Sequence, residues 1–258
     1  MLRDRALDWG VGLATVALLL AGIEAAVDAG LVKRALLPPP SAVWAVLTDL
    51  LASGDAFDPL GQTLARLAQG FAIGAALAVL VGLLMGHSGA VHDLLEPLVE
   101  LIRPLPKSAL IPVFILFLGL GEAMKVTSVA LAVFFPVLVA TIQGVRGVDP
   151  VLIDTARTFR HGHARILACI ILPAALPYIA TGLRIALGLG LVLATLSEML
   201  AGTGGIGFVI LDAQRSFRVR HMYAWIVILA VVGLVLNSGF VALESFAARW
   251  QHDRERTP

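Results

Sequence analysis

Long runs of apolar residues uninterrupted by charge are the feature that most constrains this chain. Leu67–Gly86, Val126–Val145 and His221–Leu243 contain no Asp, Glu, Lys or Arg. Ile166–Leu183 continues into Ile185–Ser197 with only Arg184 between them, Ser108–Gly121 is shorter and nearly all aliphatic, and Trp9–Ile23 adds another run. A helix crossing hydrocarbon needs about 20 mostly apolar residues, because it rises roughly 1.5 Å per residue through roughly 30 Å. Neither the alternation of a barrel strand nor an all-polar period occurs in these windows. The expectation is an all-α polytopic membrane bundle of six helices, near 9–29, 63–86, 107–121, 123–143, 173–200 and 221–246.

Composition excludes other classes. Of 258 residues, 59% are hydrophobic and 14% charged, against roughly 45–50% and 25% in soluble domains. So apolar a chain does not stay disordered. A single cysteine, Cys169, rules out a disulfide scaffold. A net charge of +1 offers nucleic acid no electrostatic footprint.

Lys and Arg in short loops set orientation. With the N-terminus inside, the inner segments hold Arg3, Arg5, Arg103, Lys107, Arg146, Arg157, Arg160, Arg165, Arg249, Arg254 and Arg256. The outer ones hold Lys33, Arg34, Lys125, Arg215, Arg218 and Arg220. Both termini are therefore expected in the cytoplasm, although the Arg215–Arg220 cluster runs against the rule. The first run also resembles a signal peptide. Without a clean small-x-small cleavage site it reads as an uncleaved helix. The expected organisation is an N-terminal helix over 1–30, an outer connection over 31–62, a core over 63–246 with an inner loop at 144–172, and a cytoplasmic tail over 247–258.

In the outer connection, Pro38-Pro39-Pro40 stops a helix. Ser41–Leu51 then reads as a short amphipathic helix N-capped by Ser41, with Trp44 at headgroup depth. Gly70-x-x-x-Gly74 and Gly82-x-x-x-Gly86 mark a helix that packs closely in lipid. Gly202-Thr203-Gly204-Gly205-Ile206-Gly207 spells a dinucleotide fingerprint, but it follows a membrane helix and no βαβ unit surrounds it. It reads as a flexible outer turn. The chain has no P-loop. His161 and His163 are too sparse for a metal site, and Glu24 and Asp28 read as a solvated helix end. Cys169 reads as a small buried apolar residue.

The inner loop Gln143–Leu172 carries Arg146, Arg157, Arg160, Arg165, Asp149 and Asp154. Pro150 suits a first helical turn, and His163–Ile171 begins a second helix. A helix-turn-helix beneath a bundle presents a knob to another protein.

Asp154-Thr155-Ala156 followed by Ile170-x-Leu172-Pro173 resembles the EAA loop of inner-membrane permeases of ABC importers, whose pattern is E-A-A, three residues, G, nine residues, I-x-L-P. Asp154 stands at the Glu, Thr155 replaces the first Ala, Ala156 matches the second, and Arg160 replaces the Gly. Gly162 is expected to take over the turn that the glycine would make. Arg103–Phe117, Gly119–Glu122, Gly182–Gly188, Ser197–Leu200 and Gly205–Phe208 resemble the nitrate/sulfonate/taurine group of these permeases.

The resemblance implies a type I importer permease with a MetI-like fold in the bacterial inner membrane. It implies a homodimer that forms the pathway, two ATPase subunits below it, and a periplasmic or lipid-anchored solute-binding protein outside. The chain itself would hold no cofactor and catalyse nothing; ATP-Mg would sit on the partner. The coupling residues implied are Asp154, Thr155, Ala156, Arg157, Thr158, Phe159, Arg160, His161, Gly162, Leu172 and Pro173. Glu198 and Arg184, ionisable groups at membrane depth, are candidates for the pathway or gate, with anchoring the alternative for Arg184. The implied solute is nitrate, an alkanesulfonate or taurine; a pyrimidine or thiamine precursor is the alternative. A stand-alone channel or secondary transporter would favour repeated halves and more intramembrane charge. An intramembrane enzyme would need a catalytic constellation. Neither pattern is present.

Overall fold

The structure, a computed structural model, describes the backbone of residues 2–252. Side chains are described except at 1–10, 13, 163, 164 and from 246 onward. Eleven α-helices are present in this range, with no strand among the described residues. They are α1 (Leu2–Asp28), α2 (Pro40–Ser53), α3 (Phe57–His87), α4 (Gly89–Ile102), α5 (Ile111–Leu118), α6 (Glu122–Arg146), α7 (Pro150–Thr158), α8 (His163–Ile166), α9 (Leu172–Ala201), α10 (Ile206–Arg215) and α11 (Val219–His252).

α3, α6, the helix running through α9 from Leu167, and α11 to Ser245 are each long and apolar enough to cross a membrane. α4 and the segment Lys107–Leu118 reach that length and apolarity only as a pair, bent by 88° at the break between them. With the 27 residues of α1, this is roughly the six expected. The third span differs most from its expected form. Pro104, Pro106 and Pro112 cluster at its start; each lacks an N–H and crowds the preceding turn, so the chain makes a 3₁₀ turn at Lys107–Leu110 before α5. Lys107 Nζ closes the break by donating to the carbonyls of Ile102, Arg103 and Leu105, at 3.1, 2.6 and 2.9 Å. α4 lies between two of the expected spans, and its Val91, Leu95 and Val99 repeat at helical spacing and pack on the core.

The core is α3 on α6 on α9. One face of α3 carries Gly70, Gly74, Gly82 and Gly86, all against α6. A Cβ at Gly74 would lie 2.3 Å from the Ala130 carbonyl oxygen, and one at Gly86 would lie 2.6 Å from Val145. The glycine pairs thus let α3 and α6 approach closely, as small residues do where lipid supplies no hydrophobic drive.

Three local expectations are corrected. Ser41 does not cap α2: Pro39 is the N-cap and Pro40 the first residue. Ser41 instead donates through Oγ and N to Glu24, at 2.5 and 3.1 Å, joining α1 to α2. Glu24 is therefore a tie between helices rather than a loose end. Cys169 is exposed, not buried, which costs a weakly polar thiol little against lipid. Trp44 is exposed on α2. The last helix continues beyond 246 to His252; of the expected tail, residues 253–258 lie outside the described range.

Candidate functional site

Three regions carry chemistry, and α9 spaces them. Its 30 residues span about 45 Å, with α7 near one end and α10 at the other.

At the first end, Asp149 caps α7 by accepting from Val151 N at 2.8 Å, and Pro150 occupies the first turn. Asp154 pairs with Arg157 at 3.1 Å on the exposed face, while Ala156 turns inward. The helix ends in a Schellman cap: His161 N donates to Ala156 O at 3.1 Å and Arg160 N to Arg157 O at 2.8 Å. The left-handed residue of this cap is Arg160, at φ +58°. Gly162 has no positive φ, so the turn stays in the register of the motif and does not shift to Gly162. α7 also leaves apolar side chains uncovered: Phe159 is 72% exposed, Val151 67% and Leu152 53%. Thr155 and Thr158 return their hydroxyls to the carbonyls of Val151 and Asp154.

From His163 the chain re-enters the bundle through a π turn, Leu167–Ile171, with Leu172 N donating to Leu167 O. Pro173 has no N–H to offer and its ring would crowd the carbonyl four residues back; the wider turn makes room. Leu172, half-buried, and Pro173, exposed, open α9.

At the other end lies a buried charge network. Glu198, fully buried on α9, accepts from Arg66 Nη1 at 2.8 Å, from Thr63 Oγ1 at 2.9 Å and from Gly207 N at 3.0 Å. Arg66 also grips Glu122 through Nε and Nη2, each at 2.7 Å, and donates to Gly204 O at 3.0 Å. Lys125, fully buried, joins Glu122 at 3.2 Å and the hydroxyl of Thr203. Two cations meet two carboxylates, which is how buried charge is tolerated.

The glycine-rich turn is part of this network. Gly202, Gly204 and Gly205 hold φ of +66°, +97° and +96°. A Cβ on Gly205 would fall 2.2 Å from the Glu198 carboxyl carbon, and one on Gly207 would fall 2.1 Å from Thr195 O. The turn wraps the carboxylate and is held by it, rather than being a free outer loop. Glu198 accordingly ties α3, α9 and α10 together. Arg66, Glu122 and Lys125 were not foreseen as its companions. The signal available was Arg66 itself, a cation within a span, but its partners lie 56 and 132 residues away.

The third region is an open groove of about 750 Å³ between the α5 segment, α6 and α9. Phe135, Val139, Ile185, Leu189 and Val192 make it apolar; Gln143, Tyr178, Thr181 and Ser108 supply polar groups near its α7 end, with Arg103 and Lys107. No carboxylate lines it among the described residues. Ile185 faces the groove, whereas Arg184 beside it turns to α11 and pairs with Glu244. Its geometry is that of a helix anchor.

A family model for the binding-protein-dependent transport system inner membrane component matches residues 74–249. The chain is 34% identical over 247 residues to a putative aliphatic sulfonates transport permease of Bacillus subtilis, covering 96% of this chain and 90% of that one. It is 31% identical to the taurine transport system permease of Escherichia coli, covering 96% and 95%. Among solved structures, an inward-facing MetNI methionine ABC transporter matches in fold with a TM-score of 0.63 at 16% identity, over 72% of this chain and 92% of that one. With its spanning helices, its EAA-like segment on α7 and these relatives, the chain belongs to the inner-membrane permease family of binding-protein-dependent transport systems.

Proposed function

We propose that this chain forms half of the pathway of an ATP-driven importer for small anions, with sulfonates the leading class. The observation that carries the reading is α7: a capped helix whose Val151, Leu152 and the following Phe159 stay exposed, uncovered by the described residues. Buried apolar side chains of this size dominate interfaces. Phe159 is the anchor for a groove on a separate ATPase, and Asp154, Arg157 and Arg160 form the charged rim. His161 continues that rim, and both termini lie on this cytoplasmic side. The ATPase binds and hydrolyses ATP-Mg; the permease moves the solute without changing a covalent bond.

A second copy closes the apolar groove along α6 and α9, and the pathway opens alternately to each side as ATP and the loaded solute receptor bias one equilibrium. The sulfonate and taurine relatives support an anionic solute.

Phe159→Ala and Asp154→Lys test this reading in proteoliposomes that also contain the cognate ATPase and solute receptor. Both variants are expected to insert normally yet lose uptake at least tenfold, with ATP hydrolysis no longer raised by the receptor. Wild-type uptake in both would refute the docking role of α7. Uptake by this chain alone, without ATP, would refute the importer.

A further inference from the structure

The inner end of the bundle holds a crevice separate from the open groove. It lies where α3 and α6 end and α7 begins, and it encloses about 240 Å³. Buried Val145, Val148 and Ile166 form an apolar floor. Its rim is cationic. Arg146, the last residue of α6, and Arg157 on α7 both line it, with His87 at the end of α3. No carboxylate lines it among the described residues.

The two arginines are not used up inside the chain. Arg146 has no hydrogen-bond or ion-pair partner among the described residues. Arg157 gives only Nη1 to Asp154, at 3.1 Å, and a guanidinium has five N–H donors. The nearby Asp149 is engaged elsewhere, accepting from Val151 N at the start of α7. Two guanidinium forks on different helices thus face one small crevice with an apolar floor and no counter-charge of its own.

We infer that this crevice binds one phosphate group that carries no cation of its own, supplied by an anionic phospholipid of the inner leaflet. Arginine's planar fork matches phosphate oxygens two at a time, and a low-dielectric floor strengthens the attraction. Basic pockets between membrane helices on the cytoplasmic side bind anionic headgroups. The size suits a headgroup, since sites for drug-sized ligands run from roughly 300 to 1,000 Å³. The inner-leaflet level, and so the choice of lipid, rests on the function proposed above; the phosphate chemistry does not. The consequence is mechanical. Only Gly147, Val148 and Asp149 join α6 to α7, so a phosphate held by Arg146 and Arg157 together stiffens the joint that carries α7.

The test uses the complex of permease and cognate ATPase in nanodiscs of phosphatidylcholine, whose phosphate carries its own ammonium, with or without added phosphatidylglycerol. Native mass spectrometry is expected to find one phosphatidylglycerol retained per permease, and amide exchange over residues 147–158 is expected to slow at least threefold when that lipid is present. Arg146→Gln is expected to lose both effects; the side chain is exposed, so the fold survives the change. Arg165→Gln, an exposed arginine of the same loop outside the crevice, is expected to keep both. Inorganic phosphate that slows exchange equally in pure phosphatidylcholine, through Arg146, would support the site and overturn the lipid as its source. Retention and slowing in Arg146→Gln equal to wild type, or an equal loss in Arg165→Gln, would overturn the inference. A wild-type chain that recruits no ATPase would overturn the proposed function, while lipid retention on the permease would still decide the crevice.

Discussion

Glu198 shows what a single side chain decides here. It is an acid at membrane depth, and its chemistry alone fits a gate, a proton site or a strut. In the structure Arg66, Thr63 and the Gly207 amide take up its oxygens and the glycine turn closes over it, an arrangement that holds three helices together. Removing one partner of a buried ion pair costs roughly 3–5 kcal/mol, because the other charge remains uncompensated. Glu198→Leu leaves Arg66 only its pair with Glu122 and leaves the Thr63 hydroxyl and the Gly207 amide without their acceptor, and is expected to lower the unfolding midpoint in detergent. Glu198→Gln, which can still accept from Thr63 and the Gly207 amide, is expected to lower it less. Equal midpoints for wild type and Glu198→Leu would remove the network from any account of stability.

At the scale of an element, α7 combines a rigid start and a strained finish. Asp149 and Pro150 set its first turn, and Arg160 holds the left-handed cap where the family pattern has glycine. A non-glycine residue there costs roughly 1–2 kcal/mol in backbone energy, partly offset because glycine loses more entropy on folding. Arg160→Gly is therefore expected to stabilise the loop modestly, seen as slower amide exchange over residues 156–162. Faster exchange would mean that the guanidinium supports the cap by contacts of its own. The α4–α5 break is the same lesson in another element. Three prolines near Lys107 are plain in the sequence, yet the helix before them, Gly89–Ile102, was passed over. Its apolar residues alternate with His92, Asp93, Glu96 and Glu100, so no charge-free window marked it.

For the whole molecule, the open groove matters most. Ile185, Leu189 and Val192 on α9 are exposed beside an apolar trough, and a second copy placed across them would bury both. The chain's only cysteine, Cys169, makes the check simple. In a Cys169→Ser background, Ile185→Cys or Leu189→Cys is expected to give oxidative dimers in native membranes, and Leu20→Cys on α1 is expected to give none. Cross-linking at Leu20 alone would place the partner on the wrong face.

What the sequence determined by itself was everything carried by local chemistry. Charge-free length marked the membrane helices, because hydrocarbon demands it. The glycine pairs on α3 marked a packing face, and the spacing from Asp154 to Pro173 marked the segment that became α7, its cap and the start of α9. What only the tertiary structure decided was which distant groups meet. Arg66 finds Glu122 and Glu198 across 56 and 132 residues, Arg184 finds Glu244, and the glycine-rich turn finds a carboxylate to wrap. The left-handed cap of α7 fell to Arg160 rather than to Gly162 two residues on. The physical reason is common to these cases. Hydrophobic length and helical period are properties of neighbours in the chain, whereas charge compensation and close packing depend on partners that only the folded bundle brings within a few ångströms.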